Sequence, residues 1–157
     1  MAEKKVRKPK VRVPKVKKMF HFAKQNKVSV WYSQHPYAEI PDEYFEERFS
    51  REGKRAQNTW SDNFRMAYFL PVGLETNGAE EGTIDIRKAV GTCSGSKSYI
   101  DAVMSKAKRK KVDQVTWVVL LFDTEYSTKD TGMGKDEYLS FLGAFSVDEE
   151  ADPVFKA

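Results

Sequence analysis

Cysteine and histidine are scarce in this sequence of 157 residues, which contains one cysteine, Cys93, and two histidines, His21 and His35. A single cysteine excludes an internal disulfide bond and is typical of proteins from a reducing compartment. Two histidines and one cysteine also make no zinc site without carboxylate ligands. The 10 Phe, 7 Tyr and 3 Trp indicate instead a domain that is held together by a hydrophobic core.

Long apolar segments are missing as well. No stretch approaches the roughly 20 apolar residues that a membrane-spanning helix needs, and the basic N-terminus lacks the apolar centre of a secretory signal. The glycine-rich fingerprints of P-loop and dinucleotide-binding proteins are absent from the sequence. These absences predict a cytoplasmic protein without a membrane segment and without a cofactor.

Two short motifs suggest catalysis, and neither has the context that its chemistry requires. Asp123 and Glu125 resemble the first, metal-binding motif of DEDD-type exonucleases, but only 32 residues follow for the remaining motifs. Residues 91–95 match the G-x-C-x-G elbow of cysteine hydrolases, yet both histidines precede this motif instead of following it. We therefore predict no catalytic residue, no metal site and no enzymatic activity.

The net charge of +4 is divided unevenly along the chain. Residues 1–27 contain 11 basic side chains and one acidic one, which gives +10, whereas residues 28–157 contain 16 basic and 22 acidic side chains, which gives −6. Proline and lysine dominate the first part, so residues 1–26 are predicted to form a disordered basic arm. Such an arm can bind nucleic acid through Arg7, Lys8, Lys10, Arg12, Lys15, Lys17 and Lys18.

The rest of the chain is predicted to be one α+β domain, residues 27–150, followed by a frayed C-terminus, residues 151–157. Its periodicity predicts about four strands in a mixed or antiparallel sheet, with helices mainly on one face. The predicted strands are residues 27–32, 63–70, 114–126 and 137–147. The predicted helices begin near Ile40, cover residues 84–90, and cover residues 99–110 with Ser98 as N-terminal cap. Residues 74–82 are predicted to be a turn-rich excursion.

The third of these strands is the expected centre of the sheet. Residues 117–122 are apolar without interruption, whereas a strand with one face in water alternates apolar and polar residues. This pattern predicts burial on both faces. Gly143 interrupts the last strand and is predicted to mark a β-bulge.

Several segments together resemble the immunity protein 22 family of bacteria. They are residues 28–33, 44–45, 58–64, 98–101, 121–126 and 141–145, and the resemblance covers about residues 27–147. Members of that family are encoded beside polymorphic toxins and protect the producing cell by binding its toxin. The resemblance implies an inhibitor that has no catalytic residues.

A charge of −6 on the domain suits a basic partner such as a nuclease toxin. The predicted toxin contacts are therefore acidic residues with an aromatic anchor, Trp60 or Tyr37. The acidic candidates are Asp42, Glu43, Glu46, Glu47, Glu80, Glu81, Asp123 and Glu125. The alternative function is that of a nucleic-acid-binding accessory protein which acts through the basic arm.

Overall fold

The structure, a computed structural model, describes residues 18–156. The strands are β1 (Ala23–Ser33), β2 (Arg48–Phe49), β3 (Ala56–Gln57), β4 (Leu74–Gly78), β5 (Ile84–Asp85), β6 (Gln114–Val115), β7 (Trp117–Thr124) and β8 (Ser140–Ser146). The α-helices are α1 (Thr59–Asn63), α2 (Ile86–Gly91), α3 (Ile100–Arg109) and α4 (Thr128–Thr131). Single 3-10 turns cover Tyr37–Glu39, Asp42–Tyr44, Pro71–Gly73 and Ser96–Ser98.

Four of the strands form the central sheet, in the order β4-β7-β1-β8, and each pair of neighbours is antiparallel. The predicted α+β class with a four-stranded sheet is therefore confirmed. Two small antiparallel pairs, β2-β3 and β5-β6, lie outside this sheet. The β7 strand runs from Trp117, opposite Ser33 of β1, to Thr124, opposite Ala23. We call the end of the sheet at Trp117 its first end and the end at Thr124 its second end.

The sheet is buried on both faces, as the apolar run in β7 predicts. Val118 and Leu120 contribute to a core that is shared with α2 and α3. Val119 and Leu121 point into a second core on the other face. That second core is mainly aromatic and is covered by α1 and by the turns. Its buried aromatic members are Trp31, Tyr44, Trp60, Phe64, Phe69, Tyr126 and Phe141.

The bulge expected near Gly143 is confirmed. Trp31 of β1 pairs with Phe141, and the preceding Val30 pairs with Gly143, so Leu142 is an extra residue on β8. An extra residue reverses the alternation of side chains along a strand. As a result, Phe141 lies in the aromatic core, and Leu142 lies in the core beneath α2 and α3.

The prediction of a helix that begins near Ile40 is wrong. The structure has only the 3-10 turn Asp42–Tyr44 followed by the short strand β2, and Phe49 is 56% exposed. A helix of about ten residues is marginal on its own, so tertiary contacts decide its conformation. Here those contacts hold the Tyr44 and Phe45 rings in the aromatic core.

Two further predictions of secondary structure, one of a strand and one of turns, are wrong. Residues 63–70 were expected to form a strand but contain the end of α1 and only isolated bridges at Met66 and Phe69. Residues 74–82, expected to be turns, contain the edge strand β4. The α1 helix begins at an Asn58–Ser61 capping box and places Trp60 and Phe64, four residues apart, in the core.

The predicted cap of α3 is also wrong. The hydroxyl of Ser98 donates to the carbonyl of Gly95 at 2.7 Å and accepts from the backbone N–H of Asp148 at 3.0 Å. It is therefore engaged outside the helix, and the N-cap residue of α3 is Tyr99, which makes no side-chain capping hydrogen bond. The C-terminal segment of the chain has displaced the local capping interaction that the sequence predicts.

The described parts of the predicted arm and of the predicted C-terminal segment both contact the domain. Residues 1–17 lie outside the described residues. The backbone of Phe20 forms hydrogen bonds with the backbone of Arg65 and Ala67, and the ring of Phe22 packs on Tyr126. At the other terminus, the backbone N–H of Phe155 donates to Gly91 at 3.0 Å. The segment before Ala157 therefore lies against α2.

Candidate functional site

The surface feature that stands out is a pair of aromatic rings at the first end of the sheet. Tyr37 lies with its ring edge-on to Trp117 at a centroid distance of 5.3 Å, and 49% of Tyr37 is exposed. The ring of Phe45 packs against that of Trp117 at a centroid distance of 4.7 Å. We call Tyr37 and Trp117 the aromatic ridge. The exposed Tyr37, supported by the partly buried Trp117, resembles the aromatic anchors that dominate many protein–protein interfaces.

A glycine in the neighbouring strand makes room for this ridge. Gly78 of β4 pairs with Trp117, and a Cβ atom at position 78 would lie 2.8 Å from Cδ1 of the tryptophan and 2.4 Å from the carbonyl oxygen of Thr116. Real Cβ atoms do not approach other atoms so closely. The absence of a side chain at Gly78 therefore permits the indole to lie across the end of β4.

Two shallow pockets flank the aromatic ridge, and both are walled by Tyr37 and Trp117. The first, of about 210 Å³, lies toward the turn that follows β4 and contains Glu80. The second, of about 220 Å³, lies toward the turn that follows Ile40 and contains Asp42. The structure thus brings two of the predicted toxin contacts to opposite sides of one aromatic pair.

Among the residues that the structure describes, the carboxylates around the aromatic ridge have no ion-pair partner. Asp42 and Glu80, with their sequence neighbours Glu43 and Glu81, are exposed. The ion pairs in the described part of the chain are Lys24–Glu125, Lys27–Glu125 and Arg48–Asp62, so none of them involves these four acids. Their charges remain available to a cationic partner.

One partly buried carboxylate, that of Asp136, fixes the turn that carries Asp42. Asp136 accepts hydrogen bonds from the Tyr44 hydroxyl and, at 3.0 Å, from the side-chain amide of Asn63. Its other oxygen accepts the backbone N–H groups of Tyr138 and Leu139, both at 2.9 Å. Burial, together with the hydrogen bond to Asp136, raises the pKa of Tyr44 far above its usual range. The turn is therefore tied to the loop before β8.

Asp123 and Glu125 lie at the other end of the sheet and have local partners. Asp123 is six residues beyond Trp117 on β7, or about 20 Å at 3.4 Å per residue, and its carboxylate accepts the N–H of Asn26 at 3.3 Å. Glu125 pairs with Lys24 and Lys27 at 3.3 and 3.4 Å. The hydrogen bonds from Lys24 and Lys27 lower the pKa of Glu125.

The remaining predicted contacts are also separated from the aromatic ridge. Trp60 is completely buried against Trp31 and Phe69, so it is a core residue and not a surface anchor. Glu46 and Glu47 lie in the segment between the 3-10 turn and β2, and they line neither ridge pocket. Of the aromatic residues considered as anchors, only Tyr37 has the required exposure.

The structure describes the surroundings of the two motifs that were considered for catalysis, Asp123 with Glu125 and residues 91–95. Asp123 adopts a left-handed backbone with φ of 54°, so the alternation that would align it with Glu125 ends there. Burial, reinforced by the charge of Glu75, raises the pKa of the Cys93 thiol to about 12. Within residues 18–156, no group of three or more His, Cys, Asp or Glu side chains is placed to hold a metal ion.

The basic residues of the alternative function lie almost entirely outside the described residues. Of the seven, the structure describes only Lys18, which is exposed with its ammonium 5.2 Å from the Phe20 ring centroid. In the part of the chain that the structure covers, none of the helices has both the length and the apolar character needed to cross a bilayer.

Sequence reasoning missed two residues of this surface. Neither Trp117 nor Asp136 is among the contacts predicted from the sequence. A signal existed for Trp117, because it is the first residue of the apolar run and a strand end opens toward the surface. No comparable signal existed for Asp136, whose partner Tyr44 lies 92 residues earlier in the chain.

Comparison with known proteins supplies one match. No curated protein and no solved structure matches the chain. The family described as Immunity protein 22 matches residues 28–148, a span that contains the whole central sheet except the first residues of β1. Since this match covers most of the sequence, the chain belongs to the Immunity protein 22 family.

Proposed function

We propose that this protein neutralises a cognate bacterial toxin by binding it stoichiometrically in the cytoplasm, without catalysis, and that the toxin is a nuclease. Membership of the Immunity protein 22 family supports the immunity role. The observation that supports this binding site is the aromatic ridge, in which the exposed Tyr37 and the partly buried Trp117 lie between carboxylates that have no ion-pair partner within residues 18–156. Neutralisation then follows from occlusion of the toxin by this surface.

The nuclease part of the proposal is supported by charge. A nuclease binds the phosphates of its substrate through basic side chains. Residues 28–157 carry a net charge of −6, and Asp42 and Glu80 lie beside the exposed aromatic ridge. Complementary charge accelerates association, and desolvated aromatic contacts slow dissociation.

The test is to co-express this protein with the C-terminal domain encoded by the adjacent toxin gene. We expect the cells to survive, the two proteins to copurify in equal amounts, and the purified toxin to cleave nucleic acid only when this protein is absent. Failure to form a complex or to restore growth would refute the immunity role. A toxin that leaves both DNA and RNA intact would refute the nuclease assignment alone.

The interface is tested by Tyr37→Ala, with Phe49→Ala as a matched control. Both residues are exposed aromatics, at 49% and 56%, but Phe49 lies on the β2-β3 hairpin and lines neither ridge pocket. We expect Tyr37→Ala to weaken toxin binding by about 30-fold or more, as removal of an interface hot spot does. Phe49→Ala should change it less than about threefold. Equal effects would place the interface elsewhere.

A further inference from the structure

We propose that the two pockets beside the aromatic ridge each bind one arginine side chain of the toxin, so that two arginines enclose Tyr37. This inference rests on the proposed immunity function and specifies the chemistry of the partner. One guanidinium would pair with Glu80 and the other with Asp42. Three properties of the pockets favour arginine, namely their walls, their charge and their shared ring.

The walls of the pockets suit a flat cation. Both pockets are bounded by the rings of Tyr37 and Trp117, over which a guanidinium group stacks favourably. The pocket of Asp42 is also lined by Ile40 and Phe45, which give the methylene stem of an arginine an apolar surface. The pocket of Glu80 is lined by Gly78, which has no side chain, and by Ala79, so it stays open.

The charge of the pockets selects a cation over an anion. Each pocket contains one carboxylate, and neither contains a lysine, arginine or histidine. None of the ion pairs within residues 18–156 neutralises Asp42 or Glu80. A carboxylate beside an aromatic ring provides both a charged hydrogen-bond acceptor and a stacking face, which is the combination that arginine uses better than lysine.

The shared ring makes the two pockets interdependent. Tyr37 walls both of them, whereas Asp42 belongs to one and Glu80 to the other. Loss of either carboxylate should therefore weaken one pocket, and loss of the tyrosine ring should weaken both. A diffuse acidic patch predicts instead that loss of the tyrosine ring has no effect, because binding to such a patch depends on total charge and not on a neutral side chain.

The experiment is an NMR titration of the full-length protein with N-acetyl-arginine amide, monitored at the Tyr37 ring and the Trp117 indole. N-acetyl-citrulline amide, which has the same shape without the charge, is the matched ligand control, and N-acetyl-lysine amide tests the need for a planar cation. We expect saturable shifts with arginine at millimolar concentration, weaker shifts with lysine and none with citrulline, because only arginine combines a positive charge with a planar group that stacks on the rings.

Variants assign the two pockets. Asp42→Asn and Glu80→Gln should each reduce arginine affinity, the double variant should abolish the saturable shifts of Trp117, and Tyr37→Ala should also abolish them. Glu52→Gln, an exposed acid on the β2-β3 turn, should leave the titration unchanged. The well-dispersed spectrum of each variant verifies its fold in the same measurement.

The outcomes separate this inference from the proposed function. Equal shifts with arginine and citrulline, or saturable arginine shifts that persist in the double carboxylate variant, would overturn the arginine pockets even if co-expression rescues growth. Arginine-specific shifts without rescue would leave the pockets intact and refute the immunity role. Loss of both would refute both.

Discussion

Asp136 is the residue on which the acidic turn depends, because its carboxylate receives four hydrogen bonds, including one from the buried hydroxyl of Tyr44. We predict that Tyr44→Phe lowers the free energy of unfolding by about 1.5–3 kcal/mol, the range for hydrogen bonds to charged groups. Urea denaturation measures this change. Toxin affinity should fall as well, because the turn carries Asp42.

Tyr99→Phe is the matched control for this prediction. Tyr99 is equally buried, and its hydroxyl donates at 2.7 Å to a neutral acceptor, the carbonyl oxygen of Ser94. We expect a loss of about 1 kcal/mol, and unchanged toxin affinity, because Tyr99 lies in the core on the other face of the sheet. Equal losses of stability from the two variants would show that the charge of Asp136 is unimportant.

Cys93 makes stability depend on pH in the alkaline range. Burial, with the charge of Glu75, raises the pKa of its thiol from 9.0 to about 12. Because the folded state favours the neutral thiol, burial of the thiol contributes fully to stability below the pKa that the thiol has in the unfolded chain. This contribution is lost as the pH rises toward the pKa of the thiol in the folded protein. The wild type should therefore lose about 1 kcal/mol more than Cys93→Ala between about pH 8 and pH 10.

Urea denaturation of both proteins at the two pH values measures this difference. A matched chemical test is the reaction of the thiol with a disulfide reagent near neutral pH. The folded protein should react far more slowly than the urea-unfolded protein, since the thiolate is the reactive form. Parallel pH dependences of the wild type and Cys93→Ala would contradict the prediction.

At the scale of elements, the pairing of β4 with β7 builds the candidate site. Gly78 lies opposite Trp117, and a Cβ at that position would collide with the backbone of Thr116 and with the indole. We predict that Gly78→Ala destabilises the fold by about 1–3 kcal/mol, as overpacking does. It should also displace Trp117 and abolish the arginine-induced shifts. Thermal denaturation and the NMR titration measure the two effects.

Gly134→Ala is the control for this substitution. Nothing lies within 4 Å of a Cβ built on Gly134, and its φ is not positive. We expect a change within about 0.5 kcal/mol. If Gly78→Ala is equally harmless, the indole does not need the space that the glycine leaves.

The element predictions succeeded where a pattern was local and strong. The uninterrupted apolar run of β7 and the glycine in β8 located a central strand and a bulge, because burial on both faces and an unpaired residue leave direct marks in the sequence. The helix expected near Ile40 and the strand expected at residues 63–70 failed. Their amphipathic patterns were short, and aromatic packing from distant parts of the chain determined both conformations.

For the whole molecule, the separation of charge affects encounter with the toxin. Residues 1–17 contribute +7, and the remaining residues carry −3. Lys18 precedes β1 at the end of the sheet opposite the aromatic ridge. We predict that deletion of residues 1–17 accelerates association with a basic toxin several-fold at low salt. Rapid-mixing kinetics at low and high salt measure this effect.

The same deletion examines the alternative function. The dissociation rate of the toxin complex and the rescue of growth should be unchanged, whereas any affinity for nucleic acid, together with its salt dependence, should disappear. A faster dissociation rate would show that the basic residues contact the toxin directly. Loss of rescue would refute the assignment of binding to the domain.

The sequence by itself determined the buried central strand, the unequal charge of the two parts of the chain and the family resemblance. These are properties of composition and of contiguous residues. Tertiary structure decided which acids share a surface, because that depends on pairing between distant segments. Gly78 meets Trp117, and Tyr44 meets Asp136 across 92 residues. These contacts place Tyr37, Asp42 and Glu80 together, bury Trp60, and leave Asp123 at the opposite end.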